Sequence, residues 1–111
     1  MESSANHRPQ FDQALADELV GKLVLVGITH EDRRGEVKRH EQFFGTVLTV
    51  DPRRGISLSL RGKRSGETKW LPPDTSAFHH ADKGQYRLRS TGEVVSNPDY
   101  TAQWTLVRPD S

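Results

Sequence analysis

The sequence predicts a mainly β domain, a small antiparallel β-barrel or rolled sheet led by one short N-terminal helix. Three observations carry that prediction. Short apolar or alternating runs recur at roughly 10- to 15-residue spacing; glycine- and proline-rich turns separate them; and only one segment shows helical periodicity.

Residues 1–9 are polar and bury almost nothing, which predicts a disordered leader before a single domain over residues 10–108. From Gln10 to Val20, the four-residue spacing of Phe11, Leu15 and Leu19 puts all three on one helical face, and Gly21 follows where a C-cap glycine belongs. Lys22 to Thr29 is the strongest strand. Its apolar residues Leu23, Val24, Leu25, Val26 and Ile28 occupy both parities, which predicts burial on both faces. The polar run His30 to Gly35 predicts a turn, and Glu36 to Val50 one long strand with Gly45 as the site of a bulge or sharp coil.

Asp51-Pro52-Arg53-Arg54-Gly55 is a turn, because proline fixes φ early and glycine frees it late. Ile56 to Arg61 alternates apolar and polar residues, so one side is expected to face the core and the other water. Gly62 to Gly66 reads as a second basic turn, and Glu67 to Leu71 as a short strand ending in Trp70 and Leu71. Pro72-Pro73 ends pairing, since neither residue donates a ladder hydrogen bond. Asp74 or Thr75 then caps a single helical turn reaching His79. Gln85 to Arg89 and Val94-Val95 are short strands, and Tyr100 to Val107 is the last. The expected core includes Leu23, Leu25, Phe43, Val47, Leu58, Trp70, Tyr86, Trp104 and Leu106.

Composition limits the function classes. At 111 residues the chain suits one domain. With no cysteine there is no disulfide, no thiolate metal site and no cysteine nucleophile. Met1 to Gln10 lacks the charged-then-apolar order of a signal peptide, and Leu23 to Ile28 falls far short of the roughly 20 residues of a membrane helix. A cytoplasmic location with no membrane partner is therefore expected. The net charge of +1 hides an uneven distribution: residues 22–70 carry eleven basic and six acidic side chains, or +5, against −3 before and −1 after.

The stretch Gly45 to Asp51, closing through Gly55 onto Ile56-Ser57-Leu58, resembles the central hairpin of SH3-like small barrels such as Tudor, KOW and Sm-type domains. The segments Leu71-Pro72-Pro73-Asp74, Tyr86 to Glu93 and Asn97-Pro98-Asp99-Tyr100 are similar to a family of small uncharacterised bacterial proteins, which implies no activity. The aromatic cage of a methyl-lysine reader is missing, so that ligand does not carry over.

Catalytic signals are weak throughout. No glycine-flanked serine elbow is present, and Gly62-Lys63-Arg64-Ser65-Gly66 has the composition of a phosphate loop without its spacing. His30, beside Glu31 and Asp32, and His79-His80, ahead of Asp82, are the candidate metal ligands. Adjacent histidines diverge on strand or helix alike, so no metal and no cofactor are expected.

The basic residues Arg33, Arg34, Lys38, Arg39, Arg53, Arg54, Arg61, Lys63 and Arg64 fall in or beside hairpin turns, where a barrel can gather them into a phosphate-holding cluster, with Phe43 or Phe44 as a stacking face. Interleaved Glu31, Asp32, Glu36, Glu41 and Glu67 argue instead for ordinary soluble edges. The expectation is a non-enzymatic module that binds a protein partner through a sheet edge or hairpin turns. Single-stranded nucleic acid on the basic turns is the alternative.

Overall fold

The computed structural model describes residues 11–108, so the expected leader at residues 1–9 lies outside the described residues. Helix α1 (Gln13–Leu19) starts at Asp12, whose Oδ1 accepts the Ala14 and Leu15 N–H at 2.9 and 3.3 Å. Ala16 and Leu19 are buried and Leu15 packs on the core, as the four-residue spacing requires, whereas Phe11, expected on the same helical face, precedes the helix. Gly21 adopts φ +85° beyond the helix, and its N–H donates to the Val47 carbonyl at 2.8 Å.

Among the described residues eight strands follow: β1 (Leu23–Glu31), β2 (Val37–Asp51), β3 (Gly55–Leu60), β4 (Thr68–Leu71), β5 (Phe78–His80), β6 (Gln85–Arg87), β7 (Val94–Ser96) and β8 (Tyr100–Val107). Six form one sheet in the order β4-β3-β2-β1-β8-β5, while β6 and β7 form a separate hairpin. The order does not close on itself, since β4 and β5 are its two ends. Leu71 of β4 and Phe78 of β5 share one buried cluster with Val24, Phe43 and Leu58, so one core runs the full width of the sheet.

The sheet is mixed rather than purely antiparallel, because β8 runs parallel to β1. Asp99 fixes that direction. Its N–H donates to the Leu23 carbonyl at 2.8 Å and its Oδ2 accepts the Leu23 N–H at 2.9 Å, so both strands set out from one clamp.

Pairing decides which residues face inward. On β1 the buried set is Val24, Val26, Ile28 and His30, whereas Leu23 and Leu25, expected in the core, are only half-buried on the outer face. The register Val26↔Phe43 and Leu25↔Phe44 puts the inner set against buried Phe43. His30 belongs to this strand, and the expected turn shrinks to the residues after Glu31.

Along β2 the register shifts at Leu48, between Val47 and Thr49, not at Gly45. Gly45 serves a different need. A side chain there would run into the Ser59 carbonyl and the Leu60 backbone of β3, so glycine permits this close approach of strands. On β3 the polar alternation does not mean exposure: Ser57 is 3% exposed and its hydroxyl lies 2.6 Å from that of Thr49.

Trp70, expected in the core, is 48% exposed, and its neighbour Leu71 is buried instead. Asp74 caps a single 3₁₀ turn that ends at Ala77, before the expected limit of His79, and Phe78–His80 pairs with β8 as a strand. Tyr86 is half-buried outside the main cluster. Trp104 and Leu106 pack against that cluster without being fully enclosed, and Trp104 meets Phe78 edge-to-face with ring centroids 5.5 Å apart. Phe43, Val47 and Leu58 are buried as expected.

Candidate functional site

The basic residues picked out in the sequence occupy three separate turns, except Lys38 and Arg39, which lie at the start of β2. Arg33 and Arg34 lie in the β1–β2 turn, which Asp32 shapes by accepting the Arg34 and Glu36 N–H at 2.8 and 3.0 Å. The bond from Glu36 is the chief influence holding the Asp32 carboxyl below its ordinary range. Lys38 follows, with Nζ 3.2 Å from Glu36 and 3.6 Å from Asp32. At the far end of β2, Asp51 accepts the Arg53 and Arg54 N–H, both at 2.8 Å. Those two arginines stand roughly 40 Å of extended strand from Arg39, at about 3.3 Å per residue.

The third turn joins β3 to β4. Arg61 donates its N–H to the Phe44 carbonyl at 2.9 Å. Lys63 donates its own to Glu93 at 2.8 Å, and its Nζ reaches the Thr91 carbonyl at 3.1 Å, tying this turn to the β6–β7 hairpin.

Arg39 and Arg64 are the pair that the fold brings together, and they meet at a carboxylate. Glu41, on the inner face of β2 opposite Ile28, has a side chain 11% exposed. It accepts from Arg64 Nη1 at 2.8 Å and lies 3.0 Å from His30 Nε2, 3.6 Å from Lys69 Nζ and 3.8 Å from Arg39 Nη2. Burial alone would push the Glu41 carboxyl up. The hydrogen bonds from Arg64 and His30, with the Lys69 charge, outweigh it and hold the pKa at about 2. Arg64 also donates to Glu67 at 3.0 and 3.2 Å, and it stands 5.3 Å from the centre of the Phe43 ring. With its guanidinium engaged by Glu41 and Glu67, Arg64 ties the β3–β4 turn to the inner face of β2.

The free edge of β4 offers a different surface. Leu60 donates to the Glu67 carbonyl at 2.9 Å, and antiparallel bonding alternates from there, so Lys69 and Leu71 turn their main-chain groups toward β3. Thr68 and Trp70 turn theirs away, and no hydrogen bond among the described residues engages them. Beside this edge Trp70 projects from the outer face, opposite Ser57, with the Arg54 guanidinium 5.8 Å from its ring centre. Leu48, at the register shift, is 47% exposed and lines with Trp70, Arg54 and Thr68 a hollow of about 420 Å³.

Sequence reasoning missed Trp70 as a surface group because Lys69 shares the inner parity with Leu71. The Lys69 side chain runs inward to Glu41, an arrangement that no local pattern announces. The histidines separate as well: His30 joins Glu41, and His80 stacks on Tyr100 with centroids 4.7 Å apart.

The chain matches no protein-family model, no curated protein and no solved structure.

Proposed function

We propose that this chain is a non-enzymatic binding module that takes an extended segment of a partner protein along the free edge of β4, with Trp70 as the anchor. One observation carries the reading: an exposed tryptophan stands on a strand edge whose Thr68 and Trp70 main-chain groups are unpaired among the described residues. An added strand gains affinity from such main-chain bonds and specificity from alternate side chains. Tryptophan and arginine dominate measured binding energies at interfaces, and Arg54 and Leu48 flank Trp70 here. The edge is short and Pro72-Pro73 stops it, which limits self-association through the same groups.

A second reading, single-stranded nucleic acid, is favoured by the Arg54–Trp70 contact, since a cation beside an exposed ring is a base-stacking platform. Dispersal of the other basic turns, and the engagement of Arg39 and Arg64 by Glu41, weigh against it.

Selection of random peptides on the immobilised chain, run beside single-stranded oligonucleotides at about 50 mM salt, separates the two. The protein reading expects enriched peptides whose affinity falls about tenfold or more in Trp70→Ala and changes little with salt. Salt-sensitive oligonucleotide binding, lost in Arg53→Glu/Arg54→Glu and without peptide enrichment, would establish the nucleic-acid reading instead. Binding of neither probe would remove both.

A further inference from the structure

Gly27 stands in the middle of β1, flanked by its neighbours on both sides, Gln42 of β2 and Gln103 of β8. Glycine is unfavourable in a strand interior, where it orders at the greatest entropic cost and contributes no side chain to packing. At Gly45 the fold explains its glycine by a steric demand. At Gly27 it does not: φ is not positive, and a Cβ would come no nearer than 3.9 Å to any atom, that atom being Gln103 Cγ. What the missing side chain provides is open space on the outer face.

That space is a groove of about 470 Å³ over Gly27, walled by Gln42 and Gln103 and, one row further along the strands, by Thr29, His40 and Thr105. A smaller hollow of about 210 Å³ continues it across Gly27, Gln42 and Gln103 to Tyr86. Each of the five polar walls can both donate and accept hydrogen bonds, and none carries a fixed charge. The Glu41 carboxylate lies on the opposite face, held by Arg64 and His30. The Gln103 amide and the Thr105 hydroxyl make no hydrogen bond among the described residues. Gln42 uses its Oε1 to accept the Ser90 N–H at 3.3 Å, which leaves its amide N–H groups available. His40 Nδ1 pairs with the Thr29 hydroxyl at 3.3 Å, which leaves Nε2. At the far end Tyr86 is fixed by its hydroxyl, which donates to the Asp82 carbonyl at 2.7 Å.

A row of uncharged donor-acceptor groups leading to an aromatic ring matches a ligand rich in hydroxyls, without charge, and possessing an apolar face. We infer that the groove over Gly27 binds a neutral saccharide, its hydroxyls taken by Gln42, Gln103, Thr105 and His40 and one ring face laid toward Tyr86. None of these five side chains offers a charged ligand a fixed counter-ion. The site is separate from the β4 edge, so the two stand or fall independently.

The test is amide NMR of the folded chain titrated with cellobiose, maltose and chitobiose at millimolar concentration. The expected result is saturable shifts centred on Gly27, Gln42 and Gln103 with at least one of these sugars. Gly27→Val fills the groove while meeting no atom closely at Cβ, so it is expected to keep its melting temperature and weaken the sugar about tenfold or more. Gln103→Ala, a change at an exposed side chain, is expected to weaken it as well. Absence of shifts with all three sugars, shifts that survive Gly27→Val, or a sharp loss of stability in Gly27→Val with Gln103→Ala binding normally would each overturn the assignment.

Discussion

Arg64 Nη1 lies 2.8 Å from Glu41 Oε2, and this contact joins β2 to the turn between β3 and β4. The residues are separated by 23 positions. Glu41 stays ionised in the folded chain down to about pH 2, because Arg64, His30 and Lys69 outweigh the burial that would raise it.

The sign of the resulting pH dependence follows from linkage. A carboxyl whose folded pKa of about 2 lies below its ordinary 4.5 stabilises the fold fully above the ordinary value and loses that contribution as pH falls from 4.5 toward 2. The loss is at most about 3 kcal/mol. Thermal melts across that range are expected to show a steep acid limb that Glu41→Gln flattens, the variant being less stable at neutral pH. An unchanged limb in Glu41→Gln would assign acid sensitivity elsewhere.

The two tryptophans are expected to behave oppositely. Trp70→Ala removes a half-exposed ring outside the apolar cluster and should change stability by less than about 1 kcal/mol. Trp104→Ala empties a site packed against the cluster and against Phe78 and should cost about 3 kcal/mol. Trp104→Phe should be far milder, because it also removes an indole N–H that is buried without a partner among the described residues. Chemical denaturation of the three variants decides the order.

The two mid-strand glycines are distinguished in the same way. Gly45→Ala drives a methyl group into the Ser59 carbonyl, which is backbone and cannot rotate aside, and is expected to cost about 2 to 3 kcal/mol. Gly27→Ala meets nothing closer than 3.9 Å and should be neutral or stabilising by up to about 1 kcal/mol. Equal melting temperatures for the two alanine variants would contradict this account of Gly45.

Where local chemistry suffices, the fold was legible. Leu15 and Leu19 announced the helix, and Asp51 to Gly55 announced the hairpin that pairs Val50 with Ile56. Facing was harder. Apolar residues on both parities of β1 could not say that Val24, Val26 and Ile28 rather than Leu23 and Leu25 are buried, since only the register with Phe43 decides it. The parallel course of β8 depends on the clamp between Asp99 and Leu23, a contact across 76 positions. The Glu41 cluster was illegible for the same reason: Lys69 and Arg64 reach it from elements distant in the chain, and in the sequence they are only charges in or near a turn.

The binding account rests on the edge of β4, and amide hydrogen exchange with a selected peptide bound tests it most directly. Lys69 and Leu71 amides point to β3 and are paired already, whereas those of Thr68 and Trp70 point outward. The account predicts that bound peptide slows exchange at Thr68 and Trp70 and leaves Lys69 and Leu71 nearly unchanged. Protection at β5 or the basic turns, with Thr68 and Trp70 still exchanging freely, would contradict it.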